Sequence, residues 1–206
     1  MVCNAWVLAS FNNGKLKEFS ELLSTLPVKL RLLSDYTQEA VEETGLSFVE
    51  NAILKARYAA KCSGLPALAD DSGLCVDVLG GGPGIYSARY AGPGSSDKEN
   101  REKLLSALEG EPQRSACFVC VLAFVRDEND PMPLLAQGVW RGEIAAQALG
   151  HHGFGYDPVF YLPALKKTSA ELSPQEKAGF SHRGEAVRAF LTQYGDEIKF
   201  TPAICI

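Results

Sequence analysis

Ala67-Leu68-Ala69-Asp70-Asp71-Ser72-Gly73-Leu74-Cys75-Val76 is the stretch on which the fold turns. Two short apolar runs flank two adjacent carboxylates followed by Ser and Gly, both favoured in turns. The composition predicts one strand-like segment that closes at a polar turn and a second that leaves it. Both charges then sit at a backbone edge. A hard divalent cation such as Mg²⁺ takes one or two protein carboxylates in such a place and fills its shell with water and substrate phosphate oxygens. Taken alone, Asp-Asp-Ser-Gly is also an ordinary polar turn.

Upstream of this stretch the chain alternates strand and helix. Ala5 to Ala9 is apolar, Ser10 to Gly14 is polar, and Leu16, Phe19, Leu22, Leu23 and Leu26 recur at helical spacing until Pro27. Val28 to Leu33 reads as a second strand. Ser47-Phe48-Val49-Glu50 has the pattern of a capping box, followed by the stripe Val49, Ala52, Ile53, Ala56 and Ala60, and Gly64 with Pro66 ends that helix. Asn51 and Lys55 fall on another face, which reads as solvated.

Downstream, Leu79 to Ser96 holds six glycines and two prolines around Tyr86, Arg89 and Tyr90, the composition of a functional or interface loop. A capped helix is predicted over Ser96 to Leu108. Strands follow at about Ser115 to Arg126 and Leu134 to Arg141, joined as an antiparallel hairpin. Gly153-Phe154-Gly155-Tyr156-Asp157-Pro158 leads into a short apolar run, Ser173-Pro174-Gln175-Glu176 opens another capped helix, and a final helix begins near Ser181. Early alternation and late strand pairing predict an α/β fold on a mixed β-sheet with flanking helices.

The 206 residues, 46% hydrophobic and 22% charged, suit a globular domain with a core of its own. The net charge of −5 argues against general binding to nucleic-acid backbone, which needs excess Lys and Arg. No signal peptide or membrane span is expected from the first ten residues, so a cytoplasmic setting is expected. Six scattered cysteines lack the spacing of a disulfide scaffold and are expected to be reduced. Cys117 and Cys120 fall within a strand, where residues three apart face opposite ways.

Five segments carry chemistry. Ser10-Phe11-Asn12-Asn13-Gly14-Lys15 is a polar turn into a helix N-terminus, a place suited to phosphate. It is no P-loop, because Ala9 stands at the first glycine position and Leu16 where Ser or Thr would be required. Glu42-Glu43-Thr44-Gly45 is a second acidic pair, ahead of the helix that bears Lys55. Ser181-His182-Arg183-Gly184 places an imidazole and a guanidinium at a helix start, and Arg offers donors for phosphate or for a carbonyl on a base edge. With Asp70-Asp71 and the aromatic glycine loop, these are the parts for Mg²⁺-dependent chemistry on a nucleotide.

In these segments, taken with Phe48 to Ala56 and Pro83-Gly84-Ile85-Tyr86-Ser87-Ala88-Arg89-Tyr90, the chain resembles the inosine triphosphate pyrophosphatases, also called dITP/XTP or non-canonical purine NTP pyrophosphatases. The matching residues run in order over nearly the whole length and lie nearest the bacterial branch. Phe11 departs from it, standing where a small residue is more usual. The resemblance implies a homodimeric, Mg²⁺-dependent enzyme that hydrolyses ITP, dITP and XTP to the monophosphate and pyrophosphate. It implies one domain over 1–206, a long mixed sheet with flanking helices forming two lobes around a central cleft that takes the nucleotide.

Built on that resemblance, Glu42 and Asp71 are expected to hold Mg²⁺, and Asp71 to orient or deprotonate the attacking water, with Asp70 the alternative base. Lys15, Lys55 and Lys177 are expected to contact the triphosphate, with Asn12 and Ser72 as neutral donors or acceptors, and Ser10, Phe11, Asn13 and Gly14 are expected among the substrate-binding residues. Phe154 or Tyr156, within a loop that includes Gly155 and Asp157, is expected to stack on the purine. His182 and Arg183 are expected to donate to its 6-oxo group. Two rivals remain at this point: the related Maf-type nucleotide pyrophosphatase, and a nucleotide-binding module without turnover.

Overall fold

The computed structural model describes residues 5–200. Among the described residues seven strands form one mixed sheet: β1 (Ala5–Leu8), β2 (Lys29–Leu32), β3 (Ala67–Val76), β4 (Ser115–Val125), β5 (Leu134–Ile144), β6 (Phe160–Leu162) and β7 (Lys167–Thr168). Their order across the sheet is β2-β1-β3-β4-β5-β6-β7. β1 runs parallel to both β2 and β3, whereas β5, β6 and β7 pair antiparallel. Helices α1 (Asn13–Leu22), α2 (Phe48–Ser63), α3 (Asp97–Ala107), α4 (Pro174–Phe180) and α5 (His182–Phe200) complete the α/β fold expected from the pattern.

The decisive stretch differs from its reading. Asp70 and Asp71 do not sit in a turn, because β3 runs unbroken through both and through Ser72-Gly73. Val7 and Leu8 of β1 pair with Ala67 and Leu68, and the N–H of Ala9 bonds the carbonyl of Leu68. Sheet neighbours thus override the turn preference of Asp, Ser and Gly.

Other boundaries shift by smaller amounts. α1 ends at Leu22, five residues ahead of Pro27, with the N–H of Leu23 bonded to Phe19. At the start of α2, Ser47 Oγ accepts from the N–H of Glu50 as a cap should, but the Glu50 carboxylate reaches back to the N–H of Leu46. Both boxes at Ser96/Glu99 and Ser173/Glu176 close fully. The 79–96 loop contains a 3₁₀ segment, Gly84–Arg89.

The chain divides into two compact units. The first holds the described residues up to Asp71, Val121–Gly138 and those from Ala186 on. Its core gathers Trp6 against Phe124, Phe190 and Tyr194, with ring centroids 4.5, 6.1 and 5.0 Å from the tryptophan. The second holds Ser72–Cys120 and Val139–Glu185. Its core is built from Leu74, Leu104, Phe118, Trp140, Phe160 and their neighbours. Cys62, Cys75, Cys117 and Cys120 carry no disulfide, while Cys3 and Cys205 lie outside the described residues.

Candidate active site

In the first unit the chemistry gathers at the carboxyl end of parallel strands, where open α/β sheets characteristically bind ligands. β1 and β3 are parallel and β1 ends opposite Leu68, so the loop leaving β1 starts beside Asp70 and Asp71 in the middle of β3. Consecutive residues of a strand alternate faces, and the two carboxylates take different lysines. Lys15, at the start of α1, binds both oxygens of Asp70 at 2.9 and 3.0 Å. Lys55, in the middle of α2, lies 2.5 Å from Asp71 Oδ1 and 3.2 Å from Glu43 Oε1.

Burial works to strip the charge of Lys55, but Asp71, then Asp70 and Glu43, outweigh it and hold the ammonium above its ordinary range. Burial also pushes the Asp71 carboxyl up, against the pull of Lys55, and the charges of Glu43 and Asp70 add to the rise. Asp71 is thereby shifted toward the basicity a proton acceptor needs.

The 10–15 loop is set by its own side chains. Asn12 caps α1, its Oδ1 accepting from the N–H groups of Gly14 at 2.7 Å and Lys15 at 3.3 Å. Two N–H groups that the sequence reading offers to a phosphate are thus already taken by Asn12. Phe11 to Gly14 are exposed. Ser10, Phe11, Lys15, Glu43, Lys55 and Asp70 line a cavity of about 220 Å³.

Asn51 and Lys55 do not share a solvated face as expected. Asn51 is fully buried, and its Oδ1 accepts from the N–H of Gly45 at 2.9 Å, tying the acidic turn to α2. Of the two carboxylates assigned to the metal, Asp71 lies in the cluster. Glu42 is exposed on the tied turn, and its neighbour Glu43 is the one that reaches Lys55.

A metal fits these residues by chemistry. Every donor is a carboxylate oxygen, and the Lys55 ammonium bridging Asp71 and Glu43 shows that the pair accepts a cation. Among the described residues no three His, Cys, Asp or Glu side chains form a ready-made cage. Mg²⁺ needs only one or two carboxylates beside water and phosphate.

In the second unit Ser72, Phe118, Phe154, Lys177, His182 and Arg183 line a cavity of about 140 Å³, together with Asp97 and the backbone of Gly155. His182 stacks on Phe118, with centroids 4.8 Å apart and planes at 14°. Ser181 caps α5 through the N–H of Gly184, so His182 and Arg183 occupy its first turn, both buried. The Arg183 guanidinium carbon lies 5.1 Å from the centre of the Phe154 ring.

The two stacking candidates part here. Phe154 is 52% exposed, whereas Tyr156 is buried and its hydroxyl donates to the Ser87 carbonyl at 2.8 Å. Burial pushes that hydroxyl well above its ordinary pKa. Asp157 is buried too, accepting from Ser169 Oγ, from the N–H of Phe154 and from Lys177 Nζ. It acts as an anchor of the loop. Lys177, assigned to the triphosphate, is held by that anchor.

Sequence reasoning passed over Glu43 as a partner of Lys55, Asn51 as the tether of the acidic turn, and Phe118 beneath His182. For Asn51 no local signal was available, since an amide on a helix face is ordinarily solvated.

A sequence model described as the Ham1 family matches residues 6–193. A dITP/XTP pyrophosphatase of Yersinia pseudotuberculosis is 55% identical over 192 residues, covering 92% of this chain and 98% of the relative. One from Pseudomonas aeruginosa is 56% identical over 191 residues, covering 92% and 96%. The solved structure of a HAM1 protein from Coxiella burnetii is similar at a TM-score of 0.88 and 51% identity, over 93% of this chain and 98% of that one. The Staphylococcus aureus Ham1 protein gives 0.85 at 43% identity, over 94% and 99%. With the match running through the lysine–carboxylate cluster and the lined pocket alike, the chain belongs to the Ham1 family.

Proposed function

We propose that this chain hydrolyses non-canonical purine nucleoside triphosphates, ITP, dITP and XTP, to the monophosphate and pyrophosphate, with Mg²⁺. The observation that carries the reading is the Asp71 carboxylate in the middle of β3, paired with Lys55 beside the end of β1 where loop 10–15 emerges. Relatives above 50% identity named dITP/XTP pyrophosphatase support the substrate class.

Cleavage between the α- and β-phosphates consumes one water, which must lose a proton as it attacks. Asp71 takes that proton, its basicity raised by burial and by neighbouring carboxylates. Lys15 and Lys55 meet the phosphates as point charges, and Ser10 and Asn13 supply neutral groups. Asp71 with the acidic segment of Glu42 and Glu43 would hold Mg²⁺, which would supply charge neutralisation on the phosphates.

The Phe154 ring stacks on the purine, and His182 and Arg183 donate to its 6-oxo group. Adenine presents an amino group there, so donor would face donor, and a site built to hydrogen-bond one group rejects the analogue lacking it strongly. We further propose one domain over 1–206 with two lobes, a homodimer and a cytoplasmic setting. Among the described residues no helix is long and apolar enough to cross a membrane.

Pyrophosphate release from ITP, XTP, ATP and pyrimidine triphosphates, with and without Mg²⁺, tests the proposal. Release from ITP and XTP that requires Mg²⁺ and far exceeds release from ATP is expected. Preference for pyrimidine triphosphates would favour the Maf-type reading, and no release at all a binding module.

A further inference from the structure

Asp97 and Arg101 stand one turn apart on α3, so their side chains share a face. Both reach a single residue of the 153–157 loop. Asp97 Oδ2 accepts from the N–H of Gly155 at 2.7 Å, and Arg101 Nη1 donates to the carbonyl of Gly155 at 2.6 Å. The first group belongs to the peptide joining Phe154 to Gly155, the second to the peptide joining Gly155 to Tyr156. One helix face therefore fixes both peptide planes around the glycine.

On the other side of Phe154, its own N–H donates to Asp157 Oδ2 at 2.9 Å. The backbone of Phe154 is bracketed by two carboxylates. Gly155 adopts φ +58°, a left-handed conformation that glycine tolerates and that leaves the loop free to move unless it is tied. The tie matters because the ring it aims is half exposed to the cavity and pairs with Arg183.

We propose that Asp97 and Arg101 are positioning residues for base recognition, whose joint hold on Gly155 fixes the Phe154 ring as the stacking face for the purine. This inference rests on the reading of the cavity as the base pocket. An untied loop would have to be ordered at the moment of binding, and that cost weakens affinity. The loss falls on KM more than on kcat, because the hold acts on ground state and transition state alike.

The test compares the parent protein with Asp97→Ala, Arg101→Ala, Asp97→Asn and Arg101→Lys. Steady-state kinetics with ITP and ATP are read beside amide hydrogen exchange of residues 153–157 in the unliganded protein. Each alanine variant is expected to raise exchange at Gly155 and to raise KM for ITP about tenfold, with kcat within about twofold. KM for ATP should rise alongside that for ITP, because adenine stacks as hypoxanthine does. Asp97→Asn keeps an acceptor and Arg101→Lys a donor, so each should recover most of the loss, and they serve as the test if an alanine variant fails to fold.

Exchange that stays at the parent level in both alanine variants would overturn the clamp. Raised exchange with unchanged KM, or a loss confined to kcat, would overturn its role in base recognition. A parent protein that releases no pyrophosphate from ITP would instead sink the proposed function, and the exchange data would still report on the clamp.

Discussion

Lys55 Nζ lies 2.5 Å from Asp71 Oδ1 and 3.2 Å from Glu43 Oε1, so one ammonium joins the strand carboxylate to the acidic turn. The side chains of Lys55 and Asp71 are both largely buried. Removing one partner of a buried pair leaves the other charged and uncompensated. Lys55→Met should therefore cost about 3 kcal/mol in urea unfolding. It should also abolish most pyrophosphate release. A variant as stable as the parent would mean that the carboxylates are balanced without Lys55.

The turn that bears Glu42 and Glu43 is seated against α2 with no room to spare. A Cβ on Gly45 would lie 2.6 Å from Asn51 Oδ1 and from Glu50 Cβ, and 3.0 Å from the Asn51 backbone nitrogen. Gly45→Ala should push the turn off the helix, costing about 1–3 kcal/mol. Pyrophosphate release should fall at least about tenfold. Full activity in this variant would show that the acidic turn need not be held in place.

Base selectivity should depend on Arg183, which sits buried beside Phe154. Arg183→Ala should lower the ratio of kcat/KM for ITP over ATP by about tenfold or more. The measurement is a side-by-side kinetic series with the two nucleotides. An unchanged ratio would remove Arg183 from recognition of the 6-oxo group.

Away from the site, Asp130 closes the connection between β4 and β5. Its carboxylate accepts from Arg126 Nη2 at 2.6 Å, from Arg126 Nε at 2.9 Å, and from the N–H groups of Arg126 and Met132, both at 2.9 Å. The Arg126 side chain, ahead of the opposing effect of burial, draws its pKa down to about 2 from 3.8. A folded-state pKa below the unfolded one gives stability that is present above about pH 4 and lost as pH falls toward 2. Asp130→Asn should cost about 1–2 kcal/mol at pH 7. The gap between variant and parent in denaturant unfolding should narrow from pH 5 to pH 3; a constant gap would contradict the assignment.

Much of this architecture was legible along the chain, and the misreadings share one physical cause. Helix caps at Ser96 and Ser173, the stripe of α2 and the apolar strands are local patterns, and they appear where the sequence puts them. Asp70-Asp71-Ser72-Gly73 has turn composition, yet the sheet on either side and the lysines of α1 and α2 hold it as strand. A sequence window shows the two charges but not the distant cations that neutralise them. In the same way α3 reads as a plain amphipathic helix, and nothing in chain order ties Asp97 or Arg101 to a glycine more than fifty residues on. Asp70 and Asp71, adjacent in sequence, separate in space by strand alternation and by the lysine each one takes.

The most direct measurement is single-turnover pyrophosphate release from ITP by Asp71→Asn with Mg²⁺ present, alongside ITP binding at equilibrium. Asparagine keeps the shape of Asp71 and removes its basicity. The account predicts that binding persists while release falls about a thousandfold. Release within about tenfold of the parent would contradict Asp71 as the group that takes the proton from water.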